Sequence, residues 1–130
     1  MVGYAANPSG SGVAYLRCDC LGSSGILRVP FRVQSGPTLF ARETAYAALI
    51  AVGRKLAQKQ VDRVIIRLDD DSLIEDVRGH RDVPASLCLS YVRLGCALNA
   101  LAAHRLEKAG DEAADLTARA RAEVNLTVAA

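Results

Sequence analysis

The spacing of the apolar residues first turns from strand-like to helical near residue 38, and that change limits what the chain can build. Val2 to Ala6 reads as a short strand, followed by the turn formers Asn7-Pro8-Ser9-Gly10-Ser11-Gly12. Val13 to Cys18 reads as a second strand, and Leu21-Gly22-Ser23-Ser24-Gly25 as a hairpin loop. From Ile26 to Val33 the pattern alternates: Leu27, Val29, Phe31 and Val33 share one face, with Arg28, Pro30 and Arg32 on the other. Pro30 has no backbone N–H to donate, which assigns this strand to a sheet edge. Three strands joined by tight loops make an antiparallel meander.

Beyond Ser35-Gly36-Pro37-Thr38 the spacing becomes helical. Leu39 to Gln60 holds no Pro and a single Gly, and Ala45, Leu49, Val52 and Leu56 form an apolar stripe. Val61 to Leu68 carries the β-branched run Val64-Ile65-Ile66, the mark of a buried central strand. Ser72-Leu73-Ile74-Glu75 has the S-x-x-E form of a capping box, so a short helix is expected from Leu73 to Arg78, stopping at Gly79. Asp82-Val83-Pro84 opens another helix, expected to bury Leu87, Tyr91, Leu94 and Leu98. Ala102 to Glu107 reads as a last strand, helix being the alternative, and Glu112 to Val124 as a terminal helix after the Gly110-Asp111 turn. A meander followed by a helical crossover to a strand implies an α/β fold with a mixed sheet of about five strands flanked by helices. Residues 1–124 form one domain in this reading, with 125–130 a C-terminal tail.

The chain has 130 residues, 51% of them hydrophobic, enough for one domain to bury its own core. Its formal charge of +2 is too weak to imply nucleic-acid binding by itself, since a dedicated binder usually shows a concentrated basic field, and scattered Arg residues read as a solvated surface. With four Tyr, two Phe and no Trp, platforms for base stacking are scarce. Cys18, Cys20, Cys88 and Cys96 match neither a zinc knuckle nor a C-x-x-C redox pair, and are expected to be buried thiols in a reducing compartment. Neither a signal peptide nor an apolar run of membrane-spanning length is visible, so the expected location is cytoplasmic.

The candidate chemistry lies in acidic residues. Glu43 sits in Ala41-Arg42-Glu43-Thr44-Ala45-Tyr46-Ala47-Ala48-Leu49, at the start of the long helix. Asp69-Asp70-Asp71-Ser72 closes the apolar strand, and Asp115 follows Ala114 near the start of the terminal helix. Of the central pair, Asp70 continues the parity of Val64, Ile66 and Leu68, whereas Asp69 falls with Ile65 and Arg67; Asp70 is preferred. Each acid also has a plain structural reading, since carboxylates are favoured at helix N-termini.

These segments resemble the reverse-transcriptase-like, type 1 branch of the ribonuclease H-like superfamily over nearly the whole chain. Asn7-Pro8-Ser9 with Gly12 resembles that family's Asn-Pro-Gly turn, and Asp111-x-x-Ala114-Asp115 its Asn-x-x-Ala-Asp, with His104 and Arg105 preceding it. The resemblance implies a ribonuclease H-like fold with Glu43, Asp70 and Asp115 as catalytic residues and metal ligands for Mg²⁺ or Mn²⁺. Two such ions about 3.5–4 Å apart can hold the attacking water and the leaving oxygen of a phosphodiester. The implied substrate is the RNA strand of an RNA–DNA hybrid.

The family keeps a further Asp on its first strand, where it contacts both metals. No Asp or Glu occurs here before Asp19, and Tyr4, Ala5 or a near neighbour is expected at that point. The resemblance therefore implies weak metal binding and a degenerate domain that binds nucleic acid with little or no hydrolysis. The alternatives are a metal-dependent ribonuclease and a protein-interaction α/β domain without a nucleic-acid role. Small residues along Cys88, Val92, Gly95, Cys96 and Asn99 permit close helix approach, and a homodimer through that helix or through an exposed sheet edge is expected.

Overall fold

Strands β1 (Val2–Ala6), β2 (Ser11–Cys20) and β3 (Ser23–Arg32) form the antiparallel meander that the alternation predicts. The computed structural model describes residues 1–20, 23–33, 40–79, 83 and 85–129, with the side chains of 19, 20, 23, 24, 112 and 126–129 left out. Leu21 and Gly22 of the expected hairpin loop, the segment Ser35 to Thr38, His80, Asp82 and Pro84 lie outside the described residues. The turn between β1 and β2 is built around Asn7, only 4% exposed. Its Oδ1 accepts hydrogen bonds from the Ser9 N–H, the Ser9 hydroxyl and the Ser11 N–H. Gly10 completes the turn at φ 93°, where a Cβ would stand 2.4 Å from the Val33 carbonyl oxygen. No L side chain fits there.

α1 (Phe40–Gln58) crosses over to β4 (Arg63–Leu68), which runs parallel to β1. α2 (Asp71–Arg78) and α3 (Cys88–Asn99) then lead to β5 (Ala103–Lys108), parallel to β4, and α4 (Ala114–Ala129) closes the described chain. Short 3₁₀ turns at Ala85–Leu87 and Asp111–Ala113 precede α3 and α4. The sheet order is β3-β2-β1-β4-β5, which puts Pro30 on an edge strand. The mixed five-stranded sheet with flanking helices is the expected α/β architecture.

The main core lies between α1 and the sheet: Ala45, Leu49, Val52 and Leu56, the stripe read from the sequence, pack with Leu16, Val29, Ile66 and Leu68. α3 packs on α1. On the opposite face α4 covers β1 and β2, burying Leu116, Ala120 and Val124 against Val13 and Tyr15. The approach is close at Gly3, where a Cβ would come within 2.2 Å of the Thr117 nitrogen.

Several expectations need correction. β4 is buried on one face only: Ile66 and Leu68 are in the core, while Ile65 is 52% exposed, because α4 covers β1 and β2 rather than β4. α2 begins at Asp71 with Asp70 as its N-cap, so Ser72 does not cap it; Gly79 ends it in the left-handed conformation (φ 75°), as predicted. Leu87, Leu94 and Leu98 are buried but Tyr91 stands at the rim of α3, 36% exposed. Cys88 and Cys96 are exposed on α3 rather than buried. The backbone of α4 stays helical to Ala129, through residues 125–129 of the expected tail. Among the described residues, no helix is long and apolar enough to cross a membrane.

Candidate functional site

At the end of β4, Leu68 pairs in register with Lys108 of β5, and β1 begins beside it with Val2 opposite Leu68. Three acids follow Leu68 and divide by direction. Asp70 is half-buried. The Tyr4 hydroxyl of β1 donates to its Oδ2 at 2.7 Å, and the Leu73 N–H donates to its Oδ1 at 3.0 Å. Burial, then the negative charge of Asp70, raises the Tyr4 pKa well above the ordinary tyrosine value. The phenol is therefore a neutral donor across the physiological range. Asp69 and Asp71 are exposed and meet the Lys108 ammonium at 2.5 and 3.2 Å. Those hydrogen bonds, the one to Asp69 first, raise the Lys108 pKa.

The first turns of α1 contribute Ala41, Arg42, Ala45 and Tyr46 to a cavity of about 150 Å³ beside Asp70, Ser72, Leu73 and Asp76. Asp76 is 1% exposed. It accepts a hydrogen bond from the Tyr46 hydroxyl at 2.8 Å and is ion-paired with Arg42. Burial and that hydrogen bond raise the Tyr46 pKa. A buried carboxylate persists where a cation and donors compensate its desolvation, as these two do. Sequence reasoning did not single out Arg42, Tyr46, Asp76 or Lys108. One signal was present: Asp76 lies three residues after Leu73 and so shares the buried face of α2.

Glu43 does not join Asp70. Successive helix residues point about 100° apart, and it is Ala41, Arg42, Ala45 and Tyr46 that line the Asp70 cavity. Glu43 lines a different groove, with Ala47, Ile50 and Arg54, between α1, β3 and α3. Asp115 is exposed in the first turn of α4. It belongs to the same end of the sheet as Asp69 to Asp71, since the Ala109 N–H donates to the Leu68 carbonyl at 2.9 Å. His104 pairs in register with Val64, toward the opposite end of β5.

Among the described residues no three His, Cys, Asp or Glu side chains are grouped to hold a metal ion. Glu43 and Asp70 border different cavities, and Asp115 is exposed in the first turn of α4. The donors do not fit a pair of divalent ions either: both oxygens of Asp70 are engaged by this chain's own hydrogen-bond donors, and the side chain on the Asp70 side of α1 is the cation Arg42.

No protein-family pattern matches this chain, and no curated protein matches it. Solved structures do. An RNase H1 from the halophilic archaeon Halobacterium salinarum superposes with a TM-score of 0.74 at 16% identity, over 95% of this chain and 92% of the other. The N-terminal RNase H domain of a Mycobacterium tuberculosis protein gives a TM-score of 0.67 at 11% identity, over 92% and 91% of the two chains. The likeness extends along nearly the full length of each. With its meander, its crossover to a parallel strand and its two helical layers, this chain has the ribonuclease H-like fold.

Proposed function

We propose that this chain is a degenerate ribonuclease H-like domain that binds nucleic acid without efficient hydrolysis. The observation that carries the reading is the Tyr4 hydroxyl on Asp70 Oδ2. The resemblance calls for a carboxylate on the first strand beside Asp70, bridging two metals. Tyr4 offers there a neutral proton donor whose deprotonation is disfavoured by burial and by Asp70 itself. A phenol in this state supplies no negative oxygen for Mg²⁺ or Mn²⁺, which prefer hard anionic ligands. Fold alone does not select the activity, and the site argues against two-metal hydrolysis.

The test is a Mg²⁺ and Mn²⁺ titration with a labelled RNA–DNA hybrid, comparing the wild type with Glu43→Gln and Asp70→Asn. Salt-sensitive binding without cleavage is expected. Metal-dependent cleavage abolished by both substitutions would establish the ribonuclease instead, with Glu43 and Asp70 among its catalytic residues. Neither binding nor cleavage, with hybrid or single strands, would leave the protein-interaction reading.

Calorimetry gives an independent check of the missing ligand. Tyr4→Asp is expected to raise Mg²⁺ affinity above the wild type, because it puts a second carboxylate beside Asp70. Ala5→Asp is not, because Ala5 packs with the α4 cluster on the other face of the sheet. Unchanged affinity in a folded Tyr4→Asp protein would sink the account that the missing first-strand carboxylate limits metal binding.

A further inference from the structure

Two sets of cations stand out in this protein. Arg28 is bonded to Glu123 at 2.6 Å, Arg42 to Asp76, Arg67 and Arg105 to Glu107, and Lys108 to Asp69 and Asp71. Four others line one groove from three different elements: Arg32 of β3, Arg54 and Lys55 of α1, and Arg93 of α3. None of these four forms a salt bridge with an acid among the described residues; Arg32 reaches only the neutral Ser11 hydroxyl, at 3.4 Å. The groove encloses about 760 Å³, and Ser86 and Ser90 add hydroxyls to its wall. Glu43 is the one acid among its described lining residues.

We infer that this groove binds the phosphate backbone of a single nucleic-acid strand, DNA or RNA. The inference rests on the proposed reading of the chain as a non-hydrolysing nucleic-acid binder, and gives that reading a location. The acidic end of the sheet is a poor one: without a metal, exposed Asp69, Asp71 and Asp115 repel phosphates, and Lys108 is already matched by two of them. The groove has the opposite character. Arg guanidinium groups suit phosphate oxygens, and Ser hydroxyls are frequent additional donors to them. A space of a few hundred cubic ångströms admits a short stretch of one backbone, not a duplex. Phe31, the groove's one aromatic among the described residues, is 9% exposed and offers no stacking face. Binding is therefore electrostatic, indifferent to sequence and steeply dependent on salt.

Fluorescence anisotropy with labelled oligothymidylate and oligouridylate across a salt series tests this. With about 0.7 counterions released per phosphate neutralised on a single strand, four cations give a slope of about −2.8 in log K against log salt. The exposed pair Arg54→Gln/Arg93→Gln is expected to halve the slope to about −1.4 and to weaken binding about 25-fold near 0.1 M salt. Arg63→Gln/Arg121→Gln removes the same charge outside the groove and leaves the slope unchanged. Should the groove double variant unfold by circular dichroism, Arg54→Gln alone is expected to lower the slope by about 0.7.

Binding of either strand with this pattern supports the groove. A slope equally reduced by both double variants, or by neither, overturns it while leaving the nucleic-acid reading intact. No binding of single strands, with retained binding of the hybrid, also overturns the groove alone. No binding of any nucleic acid removes both readings. Polyglutamate displacing the oligonucleotides at lower charge concentration than they displace it would reassign the groove to an acidic protein partner.

Discussion

Asp70 directs both carboxylate oxygens to donors of its own chain, so the site's chemistry depends first on Tyr4. A hydrogen bond to a charged acceptor contributes roughly 1.5–3 kcal/mol, and the half-exposed setting puts Tyr4→Phe at the low end, a loss of about 1–2 kcal/mol in urea denaturation. Alkaline pH tests the same contact. Tyr4 and Tyr46 both have pKa values raised in the folded protein above the ordinary 10.0. A group raised in this way contributes stability that is complete below its unfolded value and is lost as pH climbs toward the folded one. Unfolding free energy should therefore decline above about pH 10, and the Tyr4→Phe/Tyr46→Phe protein should show a shallower decline. An identical alkaline limb in both proteins would refute the role given to these phenols. Glu43 separates the two sites by sign. As a metal ligand its loss would weaken metal-supported binding. As the acid in a phosphate groove, Glu43→Gln is expected to tighten oligonucleotide binding several-fold without metal.

At the scale of elements, close contact between β1 and α4 depends on a missing side chain. A Cβ at Gly3 would meet the α4 backbone at 2.2 Å, a distance only a displaced helix could relieve. Overpacking of this kind costs about 1–3 kcal/mol, so Gly3→Ala should lower the urea midpoint and increase exchange of α4 amides ahead of those in α1. Equal exchange in both helices would deny α4 this dependence. The elements themselves were legible because their signals are local: turn formers bounded β1 and β2, alternation gave β3, Pro30 marked the edge, the Ala45-Leu49-Val52-Leu56 stripe gave α1, and Gly79 ended α2. The site was less legible because it depends on phase between elements. Whether Arg42 or Glu43 faces Asp70 is a rotation of α1 by one residue, set by how its stripe settles on the sheet. Tyr4 was readable as an occupant of the vacant ligand position, but its bond to Asp70 required the β1–β4 pairing. Ile65 looked like core because nothing local reveals that α4 stops short of β4.

For the molecule as a whole, the remaining question is what covers the outer side of α3. Leu89 and Val92 are 62% and 57% exposed, and Cys88, Cys96 and Asn99 stand exposed on the same helix. Gly95 has open space where a Cβ would lie, so nothing among the described residues demands a glycine there. Exposed apolar side chains grouped on one helix are a common mark of association, and small residues between them let two backbones approach. A homodimer through α3 is the expected state at low micromolar concentration in sedimentation velocity, with Gly95→Arg returning it to monomer. A wild-type protein that sediments only as a monomer would remove the dimer. A Gly95→Arg protein that stays dimeric would move the interface to the uncovered face of β4 and β5, where Ile65 is 52% exposed between Arg63 and Arg67. Ile65→Lys should then dissociate it, because a second like charge opposite Arg105, its registered neighbour on β5, disfavours burial of that face.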